Sequence, residues 1–208
     1  MTLTLQHLTY SEIGKKANSF LLKYHPSFEI PIPVENIVDV NMGIQIFPYP
    51  GLYKVHGQNG FLSKDRTTIN VDEYQYDNYY PKCRFTIAHE LGHYVLHERQ
   101  YANLPFNAPD EYEKWLLAES PEAIDWFEKQ SDWFAEQLLV PTQSLIEVCT
   151  QVVKRHETKL SELTRVPDDF WSYASNEIAT NFDVNPPVVE IRIRREKISL
   201  KIKTLNEQ

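Results

Sequence analysis

His89 and His93 stand four positions apart, with Glu90 beside the first, inside a stretch where Ile87, Leu91 and Val95 recur at helical spacing. Residues i and i+4 share one helical face about one turn apart, so both imidazoles can converge on one metal ion. Glu90 is then placed to reach a water at that metal, which is the donor arrangement of a hydrolytic zinc site. Gly92 costs roughly 1 kcal/mol relative to alanine inside a helix. That cost is tolerable where a neighbouring element must pack closely on this side.

A catalytic zinc takes three protein ligands and leaves its fourth position to water, so the chain must supply one more. Ser120-Pro121-Glu122 reads as a capped, acidic helix start, Ile124, Phe127, Phe134 and Leu138 mark a buried face, and Pro141 stops the helix. On this helix Glu128 is the expected third ligand. Asp132, one turn further, is placed to accept a hydrogen bond from the outer nitrogen of His89. Glu119, Glu122 and Asp125 lie near the start of the same helix and are alternatives to Glu128.

Composition bounds the rest. The chain has 208 residues, 42% of them hydrophobic and 24% charged, enough for a proper core in one medium domain. Twenty-one Lys and Arg against 29 Asp and Glu leave a net charge of -8, which argues against direct nucleic-acid binding, because displacing phosphate counterions needs a cationic surface. Cys83 and Cys149 offer neither a disulfide framework nor paired metal knuckles, so a reducing compartment is expected. The first residues lack a basic stretch followed by an apolar one, and no window approaches 18 uninterrupted apolar residues. The expectation is a cytoplasmic protein with no membrane partner.

Along the chain, helices are expected from Thr9 or Ser11 to Tyr24, from Pro33 to Gly43, from Thr142 to Lys154, from Asp168 to Asn181 and from Pro186 to Arg195, the last also readable as a strand. Ile44 to Phe47, Lys54 to Gly57, Gly60 to Ser63 and Thr67 to Val71 read as a small antiparallel sheet, with a hairpin turn at Gly57 to Gly60. YQYDNYYP and roughly Gln100 to Glu119 read as loops. His97 continues the histidine face but reads as packing or as a charge at the helix end. The basic run from Arg192 to Lys203 reads as a solvated face. The expectation is an α+β fold, with residues 1–141 as the core that carries the hydrolytic zinc site and residues 142–208 as a helical region packed on it and available to hold a partner.

RFTIAHELGHYVLH and EKQSDWFAEQLLVP resemble the two signature blocks of the ImmA/IrrE family of metallopeptidases in order and spacing. PIPVENIVDVNMGIQI, TTINV and FDVNPPVVEIRI resemble its remaining blocks, so the likeness runs from Glu29 to Ile193. The resemblance implies a zincin-like fold and a zinc-dependent endopeptidase of the gluzincin type, with one Zn2+ per chain. It makes His89, His93 and Glu128 the ligands and Glu90 the base. Asp132 stands where asparagine is commoner in the family, and Ser131 where alanine is. The resemblance further implies that the substrate is a helix-turn-helix transcriptional repressor of a phage, mobile-element or stress circuit. A different class is a non-catalytic module that sequesters a repressor or works in a toxin-antitoxin pair on the same fold; an intact Glu90 argues against it. By similarity to related peptidases, the strand at Thr67 to Val71 could border the cleft. His56, Tyr53 and the tyrosines at 74 to 80 are equally available to stabilise an oxyanion.

Overall fold

Thr9 fixes where the first helix begins. Its hydroxyl accepts from the Glu12 backbone N–H, while its own N–H donates to the Glu12 carboxylate, so two orphan donors are satisfied reciprocally. The protein is described here by a computed structural model that covers residues 3–105, 108–156 and 168–202. Helix α1 (Tyr10–Tyr24) buries Ile13, Ala17, Phe20 and Leu21. α2 (Val34–Asn36) runs into a π-helical turn (Ile37–Asn41), and the chain then reverses at Gly43 in the left-handed region.

Strand β1 (Gln45–Tyr49) is followed by helix α3 (Leu52–His56), strands β2 (Gly60–Leu62) and β3 (Thr68–Asp72), and helix α4 (Glu73–Asn78). The sheet is mixed, which corrects the expectation of an antiparallel one. Its order is β1-β3-β2; β1 runs parallel to β3 from Gln45↔Thr68 to Tyr49↔Asp72, and only β2 is antiparallel to β3. The reason lies at Lys54 to Gly57, which is helical rather than extended. Gly51 and Gly57 take left-handed conformations at its two ends, and Asp72 accepts the Tyr53 N–H. With α3 inserted there, β1 cannot fold back on β2 as a hairpin and pairs with the later strand.

Asp72 also caps α4 by accepting from the Gln75 N–H, so the tyrosine-rich segment is helical too. The long helix α5 (Tyr80–Leu96) carries the histidines. The stretch expected as a loop contains α6 (Glu98–Tyr101) and α7 (Pro109–Ala118), the latter opened by a first-turn proline and two acidic residues. Then come α8 (Pro121–Leu139), α9 (Thr142–Arg155), α10 (Asp168–Thr180), α11 (Pro186–Arg195) and α12 (Ile198–Lys201). The proline pair opening α11 favours the helix over the alternative strand.

The core centres on α8, with α5 on one side and α1 on the other. Phe127, Phe134 and Leu138 are fully buried there, and Phe20 meets Phe134 edge-on with ring centroids 6.0 Å apart. Gly92 is the contact point of α5 and α8: a Cβ built on it would lie 3.0 Å from both Cα and the carbonyl oxygen of Ser131. The C-terminal helices join this core through Arg192. Fully buried, it donates to the Val140 carbonyl at 2.9 Å and to the Thr142 and Tyr10 hydroxyls, and it pairs with Glu196. Three more cations of the basic run are paired, Arg194 with Glu190, Arg195 with Glu136 and Lys201 with Glu196, and Lys197 is exposed; Lys203 lies outside the described residues. Arg192 is therefore a structural clamp rather than part of a solvated face.

Candidate metal centre

α5 sets His89 and His93 one turn apart, and the close approach at Gly92 brings Glu128 of α8 opposite them. His89 Nε2 lies 3.0 Å from Glu128 Oε2 and 3.1 Å from His93 Nε2, and the third side of the triangle, His93 Nε2 to Glu128 Oε2, is 3.6 Å. Zinc bonds of about 2.0–2.2 Å in a tetrahedron separate the ligand atoms by about 3.3–3.6 Å. The three atoms therefore already stand near the edges of such a tetrahedron. Among the described residues, these three form the group of histidine and carboxylate side chains able to hold one metal ion.

The electrostatics match that geometry. His89 Nδ1 lies 2.8 Å from Asp132 Oδ1, and a carboxylate only accepts, so the ring proton sits on Nδ1 and Nε2 offers its lone pair inward. Burial works against the charge of Glu128, but His93 and His89 outweigh it and hold this carboxyl well below its ordinary range. Burial likewise disfavours a charged His89, yet its bonds to Asp132 and Glu128 carry it well above the usual histidine value. With no cation between them, His89 Nε2 holds a proton against the Glu128 carboxylate; a divalent ion replaces that proton and takes the same lone pairs. The donor set therefore fits a divalent ion.

Glu90 faces the site from the same helix and is 5% exposed. Burial raises its carboxyl above the ordinary range, opposed by His89 and His93. The alternatives to Glu128 are engaged elsewhere or turned outward. Glu119 accepts from the Leu3 N–H and the Trp115 indole, Asp125 pairs with Lys129, and Glu122 is exposed.

β3, expected at the cleft border, is the central strand. The border is β2, whose bonds to β3 use Asn59 and Ser63, so Gly60 and Leu62 turn their backbone groups to its free edge beside Glu90. Of the oxyanion candidates, Tyr53 carries Lys82 over its ring and His56 lies 3.8 Å from Glu113, while Tyr74, Tyr76, Tyr79 and Tyr80 are exposed.

Two tyrosines that no sequence motif singles out line the site instead. Tyr112 of α7 donates its hydroxyl to Glu128 Oε1 at 3.0 Å, and Tyr101 packs with its ring 6.1 Å from that of His93. Burial, reinforced by the Glu128 charge, pushes the Tyr112 phenol well above its ordinary value, so it remains a donor. A signal for Tyr101 was present: positions 89, 93, 97 and 101 carry His, His, His and Tyr at every fourth residue. For Tyr112 the signal was Pro109 followed by aromatic residues three apart, hidden among acidic neighbours.

Cys83 and Cys149 are buried free thiols. Burial pushes both up to about 12, so neither is a nucleophile near neutral pH.

Comparison with known proteins gives one result that bears on this site. Residues 77–194, more than half of the chain, match the M78 peptidase family described as the IrrE N-terminal-like domain, and that span contains every member of the cluster. Among curated proteins, nothing matches the chain.

Proposed function

The chain belongs to the ImmA/IrrE family of M78 metallopeptidases, and on that premise we propose that it is a zinc-dependent endopeptidase of the cytoplasm. Its substrate, on this reading, is a single partner protein, a helix-turn-helix transcriptional repressor. His89, His93 and Glu128 hold the metal, Glu90 is the base, and Asp132 orients His89. The observation that carries the reading is the near-tetrahedral triangle of His89 Nε2, His93 Nε2 and Glu128 Oε2, with Glu90 buried beside it.

A divalent ion held there supplies the Lewis acid that polarises a peptide carbonyl and acidifies a water. Glu90 takes a proton from water and returns it to the leaving amine; its raised pKa brings it closer to neutrality, where proton transfer in both directions is efficient. The free edge of β2 supports an extended substrate lying along the cleft through main-chain hydrogen bonds. Such bonds read little sequence, so selectivity falls to a second contact, for which we assign residues 142–208. Tyr173, Ile191 and Leu200 are exposed apolar side chains on that region.

The test is Glu90→Gln. It removes the base and leaves the ligands, so we expect zinc to be retained while cleavage of a repressor-like partner slows roughly 100-fold or more. Wild-type cleavage by the variant contradicts the mechanism. A wild type that binds such a partner without cutting it favours the sequestering module.

A further inference from the structure

Behind the metal centre, His93 turns its second ring nitrogen to His97, with Nδ1 to Nδ1 at 3.0 Å. His93 and His97 are 1% and 2% exposed, and both rings lie against Phe127, with centroids 4.3 and 4.4 Å away. Two nitrogens so close require one to donate and the other to accept. His93 Nε2 keeps its lone pair for the metal in the reading above, on which this inference rests. The ring proton of His93 is then on Nδ1, and His97 Nδ1 accepts it.

A neutral His97 must in consequence carry its own proton on Nε2. That nitrogen is buried and has no partner within hydrogen-bond distance, and the polar side chain bearing on the ring is that of Gln130. Gln130 is itself buried, and its amide nitrogen is committed to the Gln6 carbonyl at 3.0 Å. Its oxygen is therefore the end left for His97.

We propose that His97 is a positioning residue of the metal centre: it holds His93 in the Nδ1–H tautomer and so turns the Nε2 lone pair to the metal. It does for His93 what Asp132 does for His89. A neutral acceptor adds no charge to a pocket that already holds Glu90 and Glu128, whereas a carboxylate at this buried position would.

The bland role for His97 is to fill space against Phe127, and two substitutions separate the roles. His97→Phe keeps a ring in that stack but removes the acceptor; His97→Asn gives up the ring but offers Oδ1 close to the place of Nδ1. Zinc affinity is read by competition with a chromophoric chelator, and the melting temperature of the metal-free protein is read in parallel. We expect His97→Phe to bind zinc about 10–100-fold more weakly at a near-unchanged melting temperature, and His97→Asn to recover most of that loss. Wild-type affinity in His97→Phe, or an equal loss in both variants, overturns the proposal. Should His97→Phe melt early, ring-nitrogen NMR of the wild type decides. Protons on His93 Nδ1 and His97 Nε2 support the relay, and the reverse assignment overturns it. A wild type that takes up no zinc sinks the metal reading itself, whereas a zinc-loaded His97→Phe sinks only the relay.

Discussion

Asp132 accepts from His89 across 2.8 Å although its own side chain is half exposed. An exposed ion pair contributes about 0–1 kcal/mol to stability, so the contact matters little to folding. Its effect is on the histidine: it fixes the tautomer and raises the basicity of Nε2. Asp132→Ala should therefore lower zinc affinity about 10–100-fold and barely move the melting temperature. Asp132→Asn, which keeps an acceptor and restores the residue commoner in the family, should lose less. Chelator competition measures both, and a wild-type affinity in Asp132→Ala removes Asp132 from the site. At this scale the sequence was most legible. The i+4 steps placed His89, His93, Glu128 and Asp132 on two faces that do meet. What spacing does not reveal is which way a ring nitrogen points, so the bond from His93 to His97 was not readable, nor was the hydroxyl of Tyr112 on Glu128.

The crossing of α5 and α8 converts those two faces into one centre, and Gly92 permits it. A methyl group there meets the backbone of Ser131 at 3.0 Å, which backbone can relieve only by moving α8 away. Gly92→Ala gains about 1 kcal/mol of helix propensity, against an overpacking cost of about 1–3 kcal/mol. We expect a lower denaturation midpoint in urea, together with weaker zinc binding because Glu128 moves with α8. A more stable Gly92→Ala with intact zinc affinity contradicts the close approach as the reason for this glycine. The long elements α1, α5 and α8 were legible because caps, prolines and apolar periodicity agree in them. α3, α4, α6 and α7 were not, since helices of 4 to 10 residues are marginal by themselves and form against tertiary partners. The parallel pairing of β1 with β3 escaped for a related reason: it depends on what the intervening chain does, which no local window contains.

At the scale of the molecule, the region after Pro141 is tied to the rest by buried polar contacts. Arg192 bridges the end of α8 and the start of α1, and Arg84 of α5 donates to the carbonyls of Ile32 and Asp183 and pairs with Glu35. Removing one partner from such a buried charge is strongly destabilising, about 3–5 kcal/mol. Truncation at Pro141 would therefore disturb the core along with any partner surface, and substitutions at exposed Tyr173 or Leu200 probe that surface more cleanly. All of this depends on one claim, that α5 and α8 together hold a divalent ion. Elemental analysis of the purified chain and its ligand variants tests it most directly. We expect about one zinc per chain in the wild type and loss of most of it in His89→Ala, His93→Ala and Glu128→Ala, since each removes one of three ligands. A wild type without divalent metal, or a Glu128→Ala variant that keeps its zinc while Glu119→Ala or Glu122→Ala loses it, would contradict that claim.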